Sequence, residues 1–120
     1  MPPLTPSRFI LALPKAELHL HLEGSVRPGT LVELSHRHDR HPLDVPGVER
    51  LYSYADFSGF LAAFKAVTDH LQTPEDYELI TYRLIEQLAR EHVVHAEVTF
   101  SAASAPNWRT ASQIQRTETP

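Results

Sequence analysis

The sequence predicts an α/β protein built on a parallel pair of strands, and three observations carry that prediction. Lys15 to Glu23 alternates side-chain character with the two-residue period of a strand. Val93 to Phe100 is a second β-rich run. The residues between them carry the 3.6-residue apolar period of helices. Strand, helical connection and strand form a right-handed crossover, which sets the two strands parallel.

Taken in order, residues 1–14 contain four prolines and read as an extended lead-in. In the first strand, alternation puts Glu17, His19, His21 and Glu23 on one face and Leu18, Leu20 and Leu22 on the other. Gly24 then suits a sharp turn or the close approach of a ligand, and Pro28 starts a helix. That helix runs to about Arg37 and buries Leu31, Val32 and Leu34. His36 to Pro42 reads as a solvated, cationic helix end rather than a second metal site.

Asp56 caps the next helix, whose apolar residues Phe57, Phe60, Leu61, Phe64, Val67 and Leu71 share one stripe. A stripe of this kind serves as core or as the wall of a pocket, and periodicity leaves both readings open. Thr73-Pro74-Glu75-Asp76 combines a capping hydroxyl, a first-turn proline and acids at the positive end of the dipole. The helix it starts ends near His92 and buries Tyr77, Ile80, Leu84 and Leu88, with Thr81 and Ile85 beside them. After the second strand the texture changes. Residues 101–120 are rich in Ser, Thr and Ala, lack an apolar period, and read as a disordered tail.

Composition narrows the function. The 120 residues are 42% hydrophobic and 22% charged, with a net charge of −4, so no basic footprint points to nucleic acid. The apolar run Phe9 to Leu13 is too short for a signal-peptide core or a membrane span, so a cytoplasmic protein without a membrane partner is expected. Cysteine is absent, so any metal must take nitrogen and oxygen ligands. His19 and His21, at i and i+2 of a strand, have Cα atoms roughly 6.5 Å apart, close enough for both rings to converge on one ion. His21 and Glu23 fall at the carboxyl end of the strand, where α/β proteins place their sites. A metal site is predicted there.

The run Leu13 to Ser25 (LPKAELHLHLEGS), followed by Arg27-Pro28, resembles the opening of the adenosine deaminase family. The resemblance continues through Phe57 to Phe64 (FSGFLAAF), the Thr73 to Glu91 helix and the His95 to Val98 strand, over roughly residues 9–100. It implies residues 1–100 as the first part of a TIM-type (β/α) barrel, incomplete here, with 101–120 outside the family pattern. It further implies one Zn2+ held by His19 and His21 with later ligands, and Glu23 contacting the substrate beside His21. Phe57, Phe60, Leu61 and Phe64 would form the lid of the purine pocket.

The implied reaction is hydrolytic deamination of the 6-amino group of an aminopurine nucleoside, adenosine or aminodeoxyfutalosine, with release of ammonia. Adenosine deaminases proper usually carry aspartate at the position of Glu23. The longer acid is typical of relatives acting on adenine or aminodeoxyfutalosine, and the lid and following helix look closest to the latter. The family's catalytic residues come from later strands, so none is assigned in this chain. His95 lies at the wrong end of its strand to replace them. The expectation is a truncated, aggregation-prone and by itself inactive zinc aminohydrolase. The alternatives are a non-catalytic remnant or partner- or metal-binding module, and an active enzyme assembled with a separately encoded remainder.

Overall fold

The structure is a computed structural model that describes residues 7–101; most of the stretch predicted as a tail, 102–120, lies outside the described residues. The elements are α1 (Arg8–Ala12), β1 (Lys15–His21), a 3-10 turn (Glu23–Ser25), α2 (Pro28–His38), α3 (Val45–Tyr52), α4 (Phe57–Asp69), α5 (Pro74–Arg90) and β2 (Val93–Thr99). β1 and β2 pair in parallel, joined through the four long helices, so the predicted α/β class and crossover are present. No described helix is long and apolar enough to cross a membrane.

The helices begin where their caps place them. Asp56 Oδ1 accepts the Gly59 N–H at 2.8 Å. Thr73 Oγ1 accepts from Asp76 N at 3.3 Å while Asp76 Oδ2 accepts from Thr73 N at 2.9 Å, a reciprocal capping box. α3, for which the sequence reading supplied no element, starts in the same way, with Asp44 Oδ1 on Gly47 N at 2.7 Å and Pro46 in the first turn.

One apolar cluster holds these helices to the end of β1: Leu22, Val26, Leu31, Leu34, Val48, Val67, Leu71, Ile80 and Leu84. Several sequence expectations change at its edge. Val32 and Leu88 are half-buried, and Ile85 is exposed rather than part of the buried stripe. Leu18 is 65% exposed, so the apolar face of β1 is covered only at Leu20 and Leu22. The lead-in is not wholly extended, because Arg8–Ala12 closes a short helix capped by Ser7.

The pairing register corrects the alternation. His21 pairs with Thr99 and Leu20 with Val98, but Glu17 pairs with Ala96, with a shift between Glu17 and Leu20. Thr99 and Ala96 are three residues apart and point to opposite faces, so Glu17 does not share the face of His19 and His21. The strand also ends at His21; Leu22 takes a helical conformation, and Glu23 opens the 3-10 turn instead of continuing the strand.

At the amino end of the sheet, Lys15 Nζ donates to the carbonyls of Leu13 (2.8 Å), Glu91 (3.0 Å) and Leu11 (3.2 Å). His92, with φ 57°, ends α5 in the left-handed region and donates Nδ1–H to Ala12 O at 2.6 Å. These contacts fasten one end of the sheet and leave the carboxyl end to the site.

A part-buried polar layer links α2 to α4 and α5. Asp76, 1% exposed, accepts from His38 Nε2 at 2.6 Å and Arg37 Nη1 at 3.3 Å. Asp39 accepts from His70 Nε2 at 2.7 Å and from the Ser35 hydroxyl. The predicted solvated helix end therefore holds for the exposed His36, Arg40 and His41, while His38 and Asp39 turn inward to carboxylate–imidazole pairs.

Candidate functional site

The site residues gather at the carboxyl ends of β1 and β2. His19 and His21 lie on one face of β1 with their Nε2 atoms 3.1 Å apart and ring centroids 5.1 Å apart. Zn–N bonds of about 2.0–2.1 Å at a tetrahedral angle separate two ligating nitrogens by roughly 3.3 Å. The pair therefore fits one tetrahedral cation with little movement. The same spacing lets one imidazole donate an N–H to the other. Among the described residues, no group of three or more His, Cys, Asp or Glu side chains is placed to hold a metal. His95 pairs with Ala16, far down the sheet from His21, and its ring lies 3.5 Å from Glu97.

Glu23 is drawn away from the strand face into the interior, 1% exposed. Its Oε1 accepts the backbone N–H of Ser101 at 2.8 Å, joining the turn after β1 to the residue beyond β2. Its Oε2 is buried without a hydrogen-bond partner. A buried carboxylate with a free oxygen is costly, of order 1–3 kcal/mol or more. Such a group calls for a donor within its reach. Gly24 turns beside it without a positive φ, and a Cβ there would only touch His21 Cβ at 3.7 Å.

Glu23 and Gly24 form the floor of a cleft of about 110 Å³ whose walls include Val26, Tyr52, Tyr54, Phe60 and Phe64. This is smaller than the roughly 300–1,000 Å³ of complete small-molecule pockets, as suits one wall of a larger site. Of the four predicted lid residues the cleft uses Phe60 and Phe64. Phe57 is 71% exposed, stacking on Phe60 at 5.9 Å, and Leu61 is 48% exposed. The α4 stripe thus divides: its first half lines the cleft or faces outward, and Val67, with Leu71 just past the helix end, joins the core.

Tyr52 and Tyr54 are cleft residues that sequence reasoning missed. Tyr52 donates its hydroxyl to Val26 O at 2.7 Å, and burial pushes its phenol up to about 12. Tyr54 meets Phe60 edge-on at 5.6 Å. They flank the break between α3 and α4, where no period runs, and the Tyr-Ser-Tyr spacing before Asp56 was the only signal for them.

Two parallel strands, their helical crossover and a site at the strand ends are the first part of a TIM-type (β/α) barrel. The sequence model of the adenosine deaminase family matches residues 14–118, and the chain belongs to that family. It is 39% identical over 99 residues to the aminodeoxyfutalosine deaminase of Streptomyces avermitilis, covering 81% of this chain and 28% of that protein. Against the adenine deaminase of Chlorobium luteolum it is 37% identical over 94 residues, 77% of this chain and 28% of the relative. The crystal structure of an adenine deaminase from Arthrobacter aurescens superposes with a TM-score of 0.69 at 30% identity, over 85% of this chain and 31% of that one. The chain thus spans less than a third of the length of these relatives.

Proposed function

We propose that this chain is the opening portion of a zinc-dependent aminohydrolase that removes the 6-amino group of an adenine-containing compound as ammonia. The observation that carries the reading is the convergence of His19 Nε2 and His21 Nε2, 3.1 Å apart, beside the buried Glu23 and its aromatic cleft. In this reading the two imidazoles supply two of the metal's ligands. When bound, zinc makes a nucleophile available from water at neutral pH. Phe60 and Phe64 cover the apolar faces of a planar purine and exclude water from it. Glu23 Oε2 accepts a hydrogen bond from a substrate N–H or O–H.

The longer acid at position 23 supports adenine or aminodeoxyfutalosine over adenosine, as do relatives named for those two activities. Catalytic zinc takes three protein ligands and keeps one position open. Two histidines do not meet that requirement, so the chain by itself is inactive in this reading, and the remaining ligands and proton-transfer groups belong to later strands. The test is reconstitution. The 120-residue chain is mixed with a polypeptide carrying the later strands of the Arthrobacter adenine deaminase, and ammonia release from adenine and aminodeoxyfutalosine is followed. Zinc-dependent release that disappears with His19→Ala is the expected result. A mixture that assembles yet releases no ammonia from any aminopurine would favour a non-catalytic module.

A further inference from the structure

Among the described residues, two buried side-chain atoms have no hydrogen-bond partner: Glu23 Oε2 and the Tyr77 hydroxyl. One is an acceptor and the other can donate. They are also neighbours through a shared segment, because Tyr77 packs edge-on against Phe100 (centroids 5.1 Å, rings at 89°) and the next residue, Ser101, donates to Glu23 Oε1. Burial first, then the negative charges of Glu23 and Asp76, push the Tyr77 phenol above its usual range.

We propose that the Tyr77 hydroxyl is the second donor to Glu23, reaching Oε2 through one bridging water. Two complementary buried groups left apart would each carry an unmet desolvation cost, and joining them removes both. A water in that position is held by polar partners on both sides, as buried waters usually are. Tyr77 then acts as a positioning residue: Ser101 N fixes one carboxylate oxygen and Tyr77 fixes the other. The acid cannot swing out of the cleft, and its remaining lone pair is presented to a ligand. The functional value of this rests on Glu23 being the ligand-facing acid of the proposed enzyme. The hydrogen bond itself does not.

The test uses the full 120-residue chain and proton NMR. A Tyr77 hydroxyl resonance that exchanges slowly with water is expected, absent in Tyr77→Phe and unmoved by Tyr82→Phe, whose ring is exposed. Glu23→Gln replaces a charged acceptor by a neutral one and shifts that resonance upfield. A Tyr77 hydroxyl that exchanges as fast as that of Tyr82, or that ignores Glu23→Gln, overturns the proposal. A double-mutant cycle over the same two near-isosteric changes gives a second reading: coupling of about tenfold or more in the unfolding equilibrium supports the pair. Strict additivity overturns it. Should the bond be present while Glu23→Gln leaves aminopurine binding by the reconstituted enzyme unchanged, the proposal stands and the substrate role of Glu23 fails.

Discussion

Ser101 donates its backbone N–H to Glu23 Oε1 at 2.8 Å across 78 residues of chain. The bond ties the turn that follows β1 to the exit from β2, beside the Leu22 N–Thr99 O bond at 2.9 Å. An amide-to-carboxylate bond in a buried place contributes about 1.5–3 kcal/mol. Glu23→Ala is therefore expected to lower the hydrogen-exchange protection of the Ser101 amide by at least about tenfold. Glu23→Gln, which keeps an acceptor oxygen, retains most of it. Equal protection in all three chains would mean that the strand ends are held by something else.

The polar layer sets the pH range of stability. Asp39 is held below 3.8 by the Ser35 hydroxyl and by His70, which together outweigh burial. Asp76 is held below 3.8 although burial opposes it, because the Gln72 and Thr73 amides and His38 favour the anion. Burial would depress His70, but the Ala66 carbonyl and Asp39 raise it above 6.5. The two acids contribute fully above 3.8, and their contribution fades as pH falls through their lowered values. His70 contributes fully below 6.5 and loses that contribution as pH rises through its raised value. Urea midpoints are expected to be highest between about pH 4 and 6.5. His70→Gln should flatten the alkaline limb and, because His70 also helps hold Asp39 low, weaken the acid limb in part; an unchanged alkaline limb would count against the Asp39–His70 pair.

Asp76 carries more than a cap. It accepts from Thr73 N, Gln72 N, His38 and Arg37 while 1% exposed, so truncation leaves several part-buried hydrogen bonds without their acceptor at once. Asp76→Ala is expected to cost about 3 kcal/mol, against about 1 kcal/mol for Thr73→Ala, which removes only the capping hydroxyl. Chemical denaturation of the two variants decides it; similar losses would reduce Asp76 to an ordinary first-turn acid.

Local chemistry made much of this fold readable. Asp56 and Thr73-Pro74 announce α4 and α5 because a cap acts within three residues of itself. The β1–β2 crossover follows from strand, helices and strand in sequence. α3 shows no clear apolar period in the sequence, because Pro46 and Gly47 resemble breakers even though Pro46 sits in the first turn and Gly47 donates to the Asp44 cap. Strict alternation puts Glu23 on the strand face, since a two-residue period cannot register Leu22 turning helical. The pairs His38–Asp76 and His70–Asp39 join residues 38 and 31 apart, beyond any periodic pattern. At the site, the histidine pair and Glu23 were visible as a motif. The cleft's tyrosines were not, since they border a helix break.

The histidine pair gives the most direct measurement. A chain with two converging imidazoles chelates a divalent ion, while a chain with one offers a single nitrogen and loses the chelate. Competition titration with Co2+ and Zn2+ is expected to show binding to the unaltered chain, weakened at least about 100-fold by either His19→Ala or His21→Ala. His95→Ala should bind as the unaltered chain does, because its ring lies down the sheet beside Glu97 and away from the pair. The visible bands of bound Co2+ report the ligand set independently of affinity, and they should vanish with either site substitution. If His95→Ala weakened binding as much as His19→Ala, the ion would be sitting on scattered surface imidazoles and the converged pair would not be its site.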